Sequence, residues 1–109
     1  MVSFEDFLKV EIRVGRILEA EKFPEARKPA YKLKIDFGEY GIKNSSAQIT
    51  KRYRPEDLEG RLIVAVTNFP PKKIAGFKSE VLVLGAVREN GDVVLLKPDF
   101  DVELGARIL

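Results

Sequence analysis

The sequence contains neither cysteine nor histidine among its 109 residues. The absence of cysteine excludes disulfides and thiol chemistry, and without either residue the usual ligands of structural zinc are missing. The absence of histidine removes the side chain that most often acts as a general base near neutral pH. An enzyme would have to depend on carboxylates, lysines or tyrosines alone. The composition therefore favours a binding module without a catalytic, metal or cofactor site.

Long apolar stretches are also missing, and no run is long and apolar enough to span a membrane or insert into one. The first eight residues include Glu5 and Asp6, which is not typical of a secretory signal peptide. A chain of this length is expected to form one domain with a single core. We therefore expect residues 1–109 to form a single domain of a cytoplasmic protein.

The charged residues are unevenly distributed along the chain. The net charge is only +2, but residues 27–54 contain eight lysines and arginines against two acidic residues, which gives +6. This asymmetry indicates an anionic partner or, equally, a solvated lysine-rich surface. Near the C-terminus, Asp99, Asp101 and Glu103 could ligate a hard cation. Acids spaced in this way are more typical of solvated turns, and no metal site is predicted.

Hydrophobic patterning predicts a protein made mainly of β-strands. Residues 30–37 alternate between apolar and charged side chains, which is typical of a strand with one solvated face. The uncharged runs at 62–66 and 81–87 are typical of strands buried on both faces. Asn90-Gly91 predicts a type I′ hairpin turn. The predicted strands are residues 12–20, 30–37, 42–48, 61–67 and 79–87, with a return strand at 93–96.

The order of these elements predicts an all-β fold with short helices. Gly15 and a change of phase at Ile17-Leu18 predict a bulge or a strong bend in the first strand, which lets a small sheet curl into a barrel. Short helical segments are predicted at residues 3–8, capped by Ser3, and at 55–58, which begins with proline. Five strands with a helical turn between the third and fourth describe a five-stranded OB-fold barrel. Such barrels bind ligands on one strand face and through loops that correspond here to residues 23–29 and 68–78.

The connection at residues 68–79 is the most distinctive segment of the chain. Pro70 and Pro71 end the fourth strand, and Gly76 allows a sharp reversal. A stiff connection that carries lysines and phenylalanines is a candidate contact surface. The alternative is a plain crossover in which Phe69, Ile74 and Phe77 fill the core.

Two other segments are candidates for ligand contact. Residues 51–54 place three cations around Tyr53, a combination that suits phosphate and base contact, and Tyr31 or Tyr53 could stack on a base if exposed. The polar side chains of the third strand could bind the polar edges of a ligand or mark a wet edge strand. The pattern alone leaves both alternatives open.

The sequence resembles a known family over nearly its whole length. Residues 10–20, 23–26, 56–61, 68–76 and 94–99 resemble the tRNA-binding domain family. That family includes small free-standing tRNA-binding proteins and C-terminal appendices of some methionyl- and tyrosyl-tRNA synthetases. Residues 27–38, 44–50 and 67–73 are similar to the branch of CsaA-type, export-related chaperones, and residues 25–29 and 79–82 differ from the pattern of typical tRNA-binding relatives.

The resemblance implies a chaperone that holds unfolded secretory precursor proteins during export, with the export ATPase as a further candidate partner. The alternative is a protein that recognises tRNA structure through a basic OB-fold face. In either case, we expect peptide or RNA to contact side chains of the strand face and the two loops. The candidates are Phe23, Arg27, Lys28, Lys32, Lys34, Asn44, Ser46, Gln48, Asn68, Phe69, Lys72, Lys73, Phe77 and Lys78.

The resemblance also implies a homodimer in which the two terminal segments form the interface. The termini are richer in large apolar residues than those of a typical monomer, and a twofold dimer would place two binding faces in a fixed relation. The alternative is that the termini fold back on their own barrel. The predicted interface residues are Phe4, Phe7, Leu8, Leu104, Ile108 and Leu109.

Overall fold

The computed structural model describes all 109 residues. Two short helices and nine strands follow one another along the chain, with a single 3₁₀ turn at Gly38–Tyr40. In order, the elements are α1 (Phe4–Leu8), β1 (Ile12–Lys22), β2 (Tyr31–Asp36), β3 (Ile42–Ala47), α2 (Pro55–Leu58), β4 (Leu62–Val66), β5 (Lys72–Ile74), β6 (Phe77–Ser79), β7 (Leu82–Val83), β8 (Gly85–Val87) and β9 (Val93–Leu95).

Five antiparallel strands form the main sheet, in the order β3-β2-β1-β4-β7. The two outer strands come together and nearly close a barrel, which confirms the predicted OB-fold architecture. β5–β6 and β8–β9 are separate hairpins outside this sheet. The predicted second, third and fourth strands agree with β2, β3 and β4 to within one residue at each end.

Polar residues of β3 make most of the barrel closure. The amide of Glu80 donates to the carbonyl of Asn44 at 2.8 Å, and the amide of Asn44 donates to the Glu80 carboxylate at 3.0 Å. Buried Ser45 donates its hydroxyl to the carbonyl of Val81 at 3.0 Å, and the amide of Ser46 donates to the hydroxyl of Ser79 at 2.9 Å. The polar composition of β3 is therefore explained first by this edge, whose backbone groups are satisfied partly by side chains.

The core lies inside the barrel, and the strand patterns explain its composition. β2 buries every second residue, while β4 buries all five of its residues because it is covered on both faces. Gly15 lies where a Cβ atom would approach Ile35 Cγ2 to 2.6 Å and Phe37 Cε1 to 2.7 Å. The buried core cluster comprises Ile17, Tyr31, Leu33, Ile35, Phe37, Ile49, Tyr53, Leu58, Ile63, Ala65 and Val81.

The irregularity predicted in the first strand is present, but it lies three residues beyond the glycine. The pairing of β1 with β2 shifts register between Ile17 and Glu19, so that Ile17 is buried and Leu18 is exposed. Gly15 itself has regular pairing with Ile63. The glycine is needed for close packing against the core, whereas the change of phase at Ile17-Leu18 marks the bulge.

The prediction of one fifth strand over residues 79–87 is wrong. This segment is divided into β7, which pairs with β4, and β8, which pairs with β9. The turn at Asn90-Gly91 also differs from the predicted type I′ turn, because only Gly91 has a positive φ, of 82°. The amide of Arg88 bonds the carbonyl of Asp92 at 2.8 Å, which encloses a three-residue loop with a left-handed glycine.

Both helices are as short as predicted. Ser3 caps α1 by accepting a hydrogen bond from the amide of Asp6 at 3.1 Å, yet no residue of α1 is buried. Pro55 begins α2, whose first turn is closed by a 3.1 Å bond from the amide of Arg54 to the Asp57 carboxylate. Helices of five and four residues are far too short to cross a membrane.

Candidate functional site

The largest depression on the molecule lies between the loop at residues 23–29 and the β5–β6 hairpin. It is an open groove of about 960 Å³. Its floor includes Ser46 and Gln48 at the end of β3, so it follows the strand face and the two loops that the fold predicted. The residues that line it are Glu25, Ala26, Arg27, Lys28, Ala30, Ser46, Gln48, Lys72, Lys73, Ile74 and Ala75.

Six of the predicted binding residues meet in this groove: Arg27, Lys28, Ser46, Gln48, Lys72 and Lys73. The four cations lie on its two walls, and the only acid that lines it is Glu25. None of the four cations takes part in an ion pair within the chain. The groove therefore presents unneutralised positive charge to an acidic or phosphorylated ligand.

The β5–β6 hairpin forms one wall and has a tight turn. Ala75 and Gly76 both have positive φ, 48° and 82°, as a two-residue type I′ turn requires. The register places Lys73 directly opposite Lys78. Two like charges at such a position repel each other and destabilise the pairing of the strands. An anionic ligand at this wall would relieve that repulsion.

The aromatic residues of the two loops do not line the groove. Phe23 is only 3% exposed, so the prediction that its ring contacts a ligand is wrong. Its ring packs edge-on against half-buried Phe77, with the ring centroids 5.5 Å apart. The Lys32 ammonium lies 4.7 Å from the Phe23 centroid and 5.2 Å from the Phe77 centroid. This cation–π cluster joins the loop to the hairpin, because one residue comes from each and Lys32 comes from the sheet between them.

The remaining strand residues lie beside the groove in a smaller cleft of about 400 Å³, which Lys32, Lys34, Asn44 and Phe77 help to line. Here the lysines face acids of β1. Lys34 forms an ion pair with Glu19 at 3.3 Å, and Lys32 is paired across the strands with Glu21. The charge of Lys34 is therefore compensated by an ion pair, whereas the Lys32 ammonium lies over the rings of Phe23 and Phe77.

The residues that follow β4 also differ from the prediction. Both polar atoms of the Asn68 side chain are bonded within the chain, to the amide of Glu11 at 2.8 Å and to the carbonyl of Lys9 at 2.7 Å. These two bonds hold the Asn68 side chain against the backbone of residues 9–11. Phe69 is 46% exposed, but it is not among the residues that line the groove. Lys78 is exposed on β6, across from Lys73.

The basic cluster at residues 51–54 is not a ligand site of the predicted kind. Arg52 binds Asp92 with two nitrogens, at 2.6 and 3.0 Å. Arg54 binds both oxygens of Asp57 at 3.2 Å. Tyr53 is buried, and its hydroxyl accepts a hydrogen bond from the amide of Leu95 at 3.0 Å. Tyr31 is buried too, so neither tyrosine can stack on a base.

These ion pairs change the acidity of the carboxyl groups. Hydrogen bonds from Arg52, and then the positive charges of Arg52 and Arg88, hold the pKa of Asp92 below its ordinary value. Hydrogen bonds from the side chain and backbone of Arg54 lower the pKa of Asp57 in the same way. Both carboxylates are therefore structural partners of the cluster, and both remain ionised at neutral pH.

The predicted interface residues form an exposed apolar area at the two termini. Phe4 is 69% exposed and Leu109 is 78% exposed, while Phe7 and Leu8 are exposed to a smaller degree. Leu104 and Ile108 are half-buried. Such a surface is typical of an interaction site, and the homodimer remains a prediction. We call these six residues the terminal surface.

Five residues that line the groove are not among the predicted contact residues: Glu25, Ala26, Ala30, Ile74 and Ala75. Ala75 could have been found by recognising the β5–β6 hairpin in the sequence, because Ala75 is the first residue of its turn. Residues 72–74 and 77–79 flank Ala-Gly, which occupies the two left-handed positions, and strand-like residues on both sides of such a dipeptide predict a two-residue hairpin. The small residues of the first loop give no comparable signal in the sequence.

Comparison with known proteins identifies the family. The model of the putative tRNA-binding domain matches residues 12–107. The methionine–tRNA ligase of Pyrococcus furiosus is 42% identical over 98% of this chain, which corresponds to 14% of that enzyme. The chain thus spans about one seventh of the length of this curated relative.

Solved structures match the chain from end to end. The chaperone CsaA of Bacillus anthracis is 63% identical, with a TM-score of 0.95, over 100% of this chain and 99% of its own. The chaperone CsaA of Picrophilus torridus is 56% identical, with a TM-score of 0.94, over 100% of both chains. The predicted resemblance to CsaA-type proteins is therefore confirmed, and the chain belongs to the tRNA-binding domain family.

Proposed function

We propose that the protein is a non-catalytic chaperone that holds unfolded segments of secretory precursors in its groove before export. The observation that carries this proposal is the match to two CsaA chaperones, at 56–63% identity over 99–100% of those solved chains. The methionine–tRNA ligase contains an equivalent domain only as a small part of a larger enzyme. The proposed role would place the protein in the cytoplasm, with the export ATPase as a candidate partner.

The groove has the chemistry to hold an extended polypeptide. Cationic side chains on both walls can bind acidic side chains and backbone carbonyls. Ser46 and Gln48 on the floor offer donors and acceptors that suit any backbone. Ile74 and the small alanines provide apolar contact without a deep pocket. A groove of this kind would bind many sequences, with a preference for segments that contain acidic residues.

We further propose that two copies associate through the terminal surface. Exposed apolar side chains at both ends of the chain support this arrangement, and a twofold dimer would place two grooves in fixed positions. A precursor long enough to reach both grooves would then bind more tightly than a short one. Sedimentation equilibrium at micromolar concentration should give twice the chain mass. A monomer under these conditions would exclude the dimer.

A second candidate function is binding of tRNA through the same groove. The observation that favours it is the group of four unpaired cations around one acid, in a member of the tRNA-binding domain family. The cations would neutralise phosphates, so affinity should fall steeply with salt as counterions are released. Tyr31 and Tyr53 are buried and no aromatic side chain lines the groove, so recognition there would rest on shape and charge.

One experiment distinguishes the two functions. The protein is titrated into a fluorescently labelled, unfolded precursor segment, and bulk tRNA is added as competitor at low and near-physiological salt. The chaperone proposal predicts peptide binding that survives at higher salt, resists tRNA and slows aggregation of a denatured precursor. Complete displacement by tRNA, with peptide binding lost at higher salt, would favour the RNA-binding function instead.

A further inference from the structure

Asn68 lies where the chain leaves the main sheet for the β5–β6 hairpin. β1 and β4 pair regularly up to Ile12 and Val66. The amide and the hydroxyl of Thr67 then both donate to the carbonyl of Glu11, at 2.8 and 3.1 Å. At the next position the backbone turns away, and the Asn68 side chain makes the bonds to Glu11 and Lys9 in its place.

The Asn68 side chain thus acts as a substitute for a peptide group. Its amide oxygen accepts from one backbone amide, and its amide nitrogen donates to a backbone carbonyl two residues away, as a strand neighbour would. Aspartate could accept the first bond but not donate the second. Alanine could make neither bond. The two contacts, at 2.8 and 2.7 Å, have the length of good hydrogen bonds.

This clamp fixes the base of the groove wall. Only Phe69, Pro70 and Pro71 separate Asn68 from Lys72, the first residue of β5. The proline rings lock two of the intervening φ angles. At the β5 end, the position of Lys72 and Lys73 therefore depends on where Asn68 is held. The β6 end of the hairpin is attached to β3 by the 2.9 Å bond from the amide of Ser46 to the hydroxyl of Ser79.

The other side of the clamp is the end of α1. Lys9 is the C-terminal cap of α1, and the Arg107 guanidinium binds the preceding carbonyl, of Leu8, at 2.6 Å. No residue of α1 is buried. The helix is thus attached to the barrel mainly at its C-terminal end, and a helix this short has little stability of its own. Docking of its apolar side chains on a second copy would order the backbone that Asn68 binds.

We propose that Asn68 is a positioning residue that couples docking of α1 on a second copy of the chain to the affinity of the groove. This inference rests on the proposed groove and dimer. An ordered α1 fixes the carbonyl of Lys9 and the amide of Glu11. These two backbone groups hold the Asn68 side chain, and Asn68 in turn positions Lys72 and Lys73 of the hairpin. Because coupling of two equilibria is reciprocal, ligand in the groove strengthens association of the two copies by the same factor.

A double-mutant cycle tests the coupling. The first change is Asn68→Ala, and the second is Phe4→Ser with Phe7→Ser, which removes apolar contacts of α1. Each change alone should weaken binding of the labelled precursor segment about fivefold, at the lower end of coupling between sites. Together they should weaken it by little more than either alone, because both interrupt the same connection. Effects that multiply to about 25-fold, as independent changes would, contradict the proposal.

A control variant separates positioning from general destabilisation. Arg52→Gln breaks the ion pair with Asp92, which is not among the residues that line the groove. It should lower the melting temperature without changing affinity for the segment. If Arg52→Gln weakens binding as much as Asn68→Ala does, Asn68 has only a structural role and the proposal fails.

Hydrogen exchange tests the connection without any ligand. When Asn68 is present, the Phe4→Ser and Phe7→Ser changes in α1 should increase hydrogen exchange at the amide of Glu11 and at the amides of residues 72–79. In the Asn68→Ala background, the same changes should leave exchange of residues 72–79 unaltered. Absence of any effect on the hairpin would exclude the coupling. If the hairpin responds but no precursor segment binds, the coupling holds and the proposed function fails.

Discussion

The cations of the groove and the cations around β2 and α2 look alike in the sequence, but they differ in their partners. Arg27, Lys28, Lys72 and Lys73 lie on a loop and a hairpin and form no ion pair. Lys34, Arg52 and Arg54 each contact a carboxylate at 3.3 Å or less. The first group is available to a ligand, whereas the second group is already bound to carboxylates of the fold.

Strand register explains part of this difference. Antiparallel pairing places Glu19 opposite Lys34, so the two side chains form an ion pair of 3.3 Å across the neighbouring strands. The only cross-strand charge contact of the β5–β6 hairpin is between Lys73 and Lys78. A count of charges along the chain cannot distinguish these two situations, because pairing is decided by residues far away in sequence.

The largest effect should follow from removing charge in the groove. We expect Lys72→Gln with Lys73→Gln to weaken binding of an acidic precursor segment about tenfold or more, because both lysines are unpaired at the groove wall. If tRNA is the ligand, the slope of log affinity against log salt should become shallower by about one for each phosphate that a lysine no longer neutralises. Fluorescence titration at several salt concentrations measures both quantities.

The matched control for that prediction is Lys34→Gln. It removes one lysine that is exposed but paired with Glu19. Affinity should change by less than about twofold, and stability should also change little because surface ion pairs contribute weakly. An equal loss of affinity in the two variants would mean that pairing does not decide which cations bind.

The second prediction concerns stability of the paired group. Arg52→Gln should lower the melting temperature at neutral pH, because buried Asp92 loses its main hydrogen-bond donor. The pKa of Asp92 is lowered in the folded protein, so this stabilisation is complete above the ordinary value of 3.8 and disappears as the pH falls through the lowered value. Thermal melts of both proteins from pH 7 to pH 2 should therefore converge at the acidic end.

Lys73→Glu should produce opposite effects on stability and binding. It replaces repulsion with attraction at the Lys78 position of the hairpin, which should stabilise the strand pairing by roughly 0.2–1 kcal/mol. It also reverses one charge of the groove wall, so binding of an acidic segment should weaken. Chemical denaturation together with the titration measures both. Unchanged affinity would show that Lys73 does not contact the ligand.

The smallest effect should come from the hairpin tip. Ala75 adopts a left-handed conformation with a φ of 48°, which costs an ordinary residue about 1–2 kcal/mol. Asparagine tolerates this conformation, so Ala75→Asn should raise the free energy of unfolding by a part of that amount. Denaturation in urea measures the change, and a decrease in stability would contradict the assignment of the turn.

The barrel could be predicted from the sequence because its strands obey local rules. The alternation in β2, the apolar run of β4 and the proline at the start of α2 each depend on a few neighbouring residues. The division of residues 79–87 could not be predicted in this way. The first part of this segment pairs with β4 and the second part pairs with β9. Which strand is the nearer partner at each position is decided by the closed barrel and not by neighbouring residues.

The candidate site could be predicted only in part for the same reason. The fold located the groove between the two correct loops, and six predicted residues line it. Burial of Phe23 and Tyr53 depends on packing partners contributed by distant segments: Phe77 lies against Phe23, and the backbone of Leu95 bonds the Tyr53 hydroxyl. The sequence of a loop shows that an aromatic residue is present but not which way it faces.

The central claim is that the unpaired cations of the groove, and not the paired cations of the barrel, hold the ligand. Amide chemical shifts of the ¹⁵N-labelled protein, followed while an unfolded precursor segment is added, test it most directly. We predict that the largest shifts occur at residues 25–30, 46–48 and 72–75, with residues 34 and 51–54 nearly unchanged. If the largest chemical-shift changes occur at residues 34 and 51–54 and the amides of the groove do not shift, the claim is contradicted.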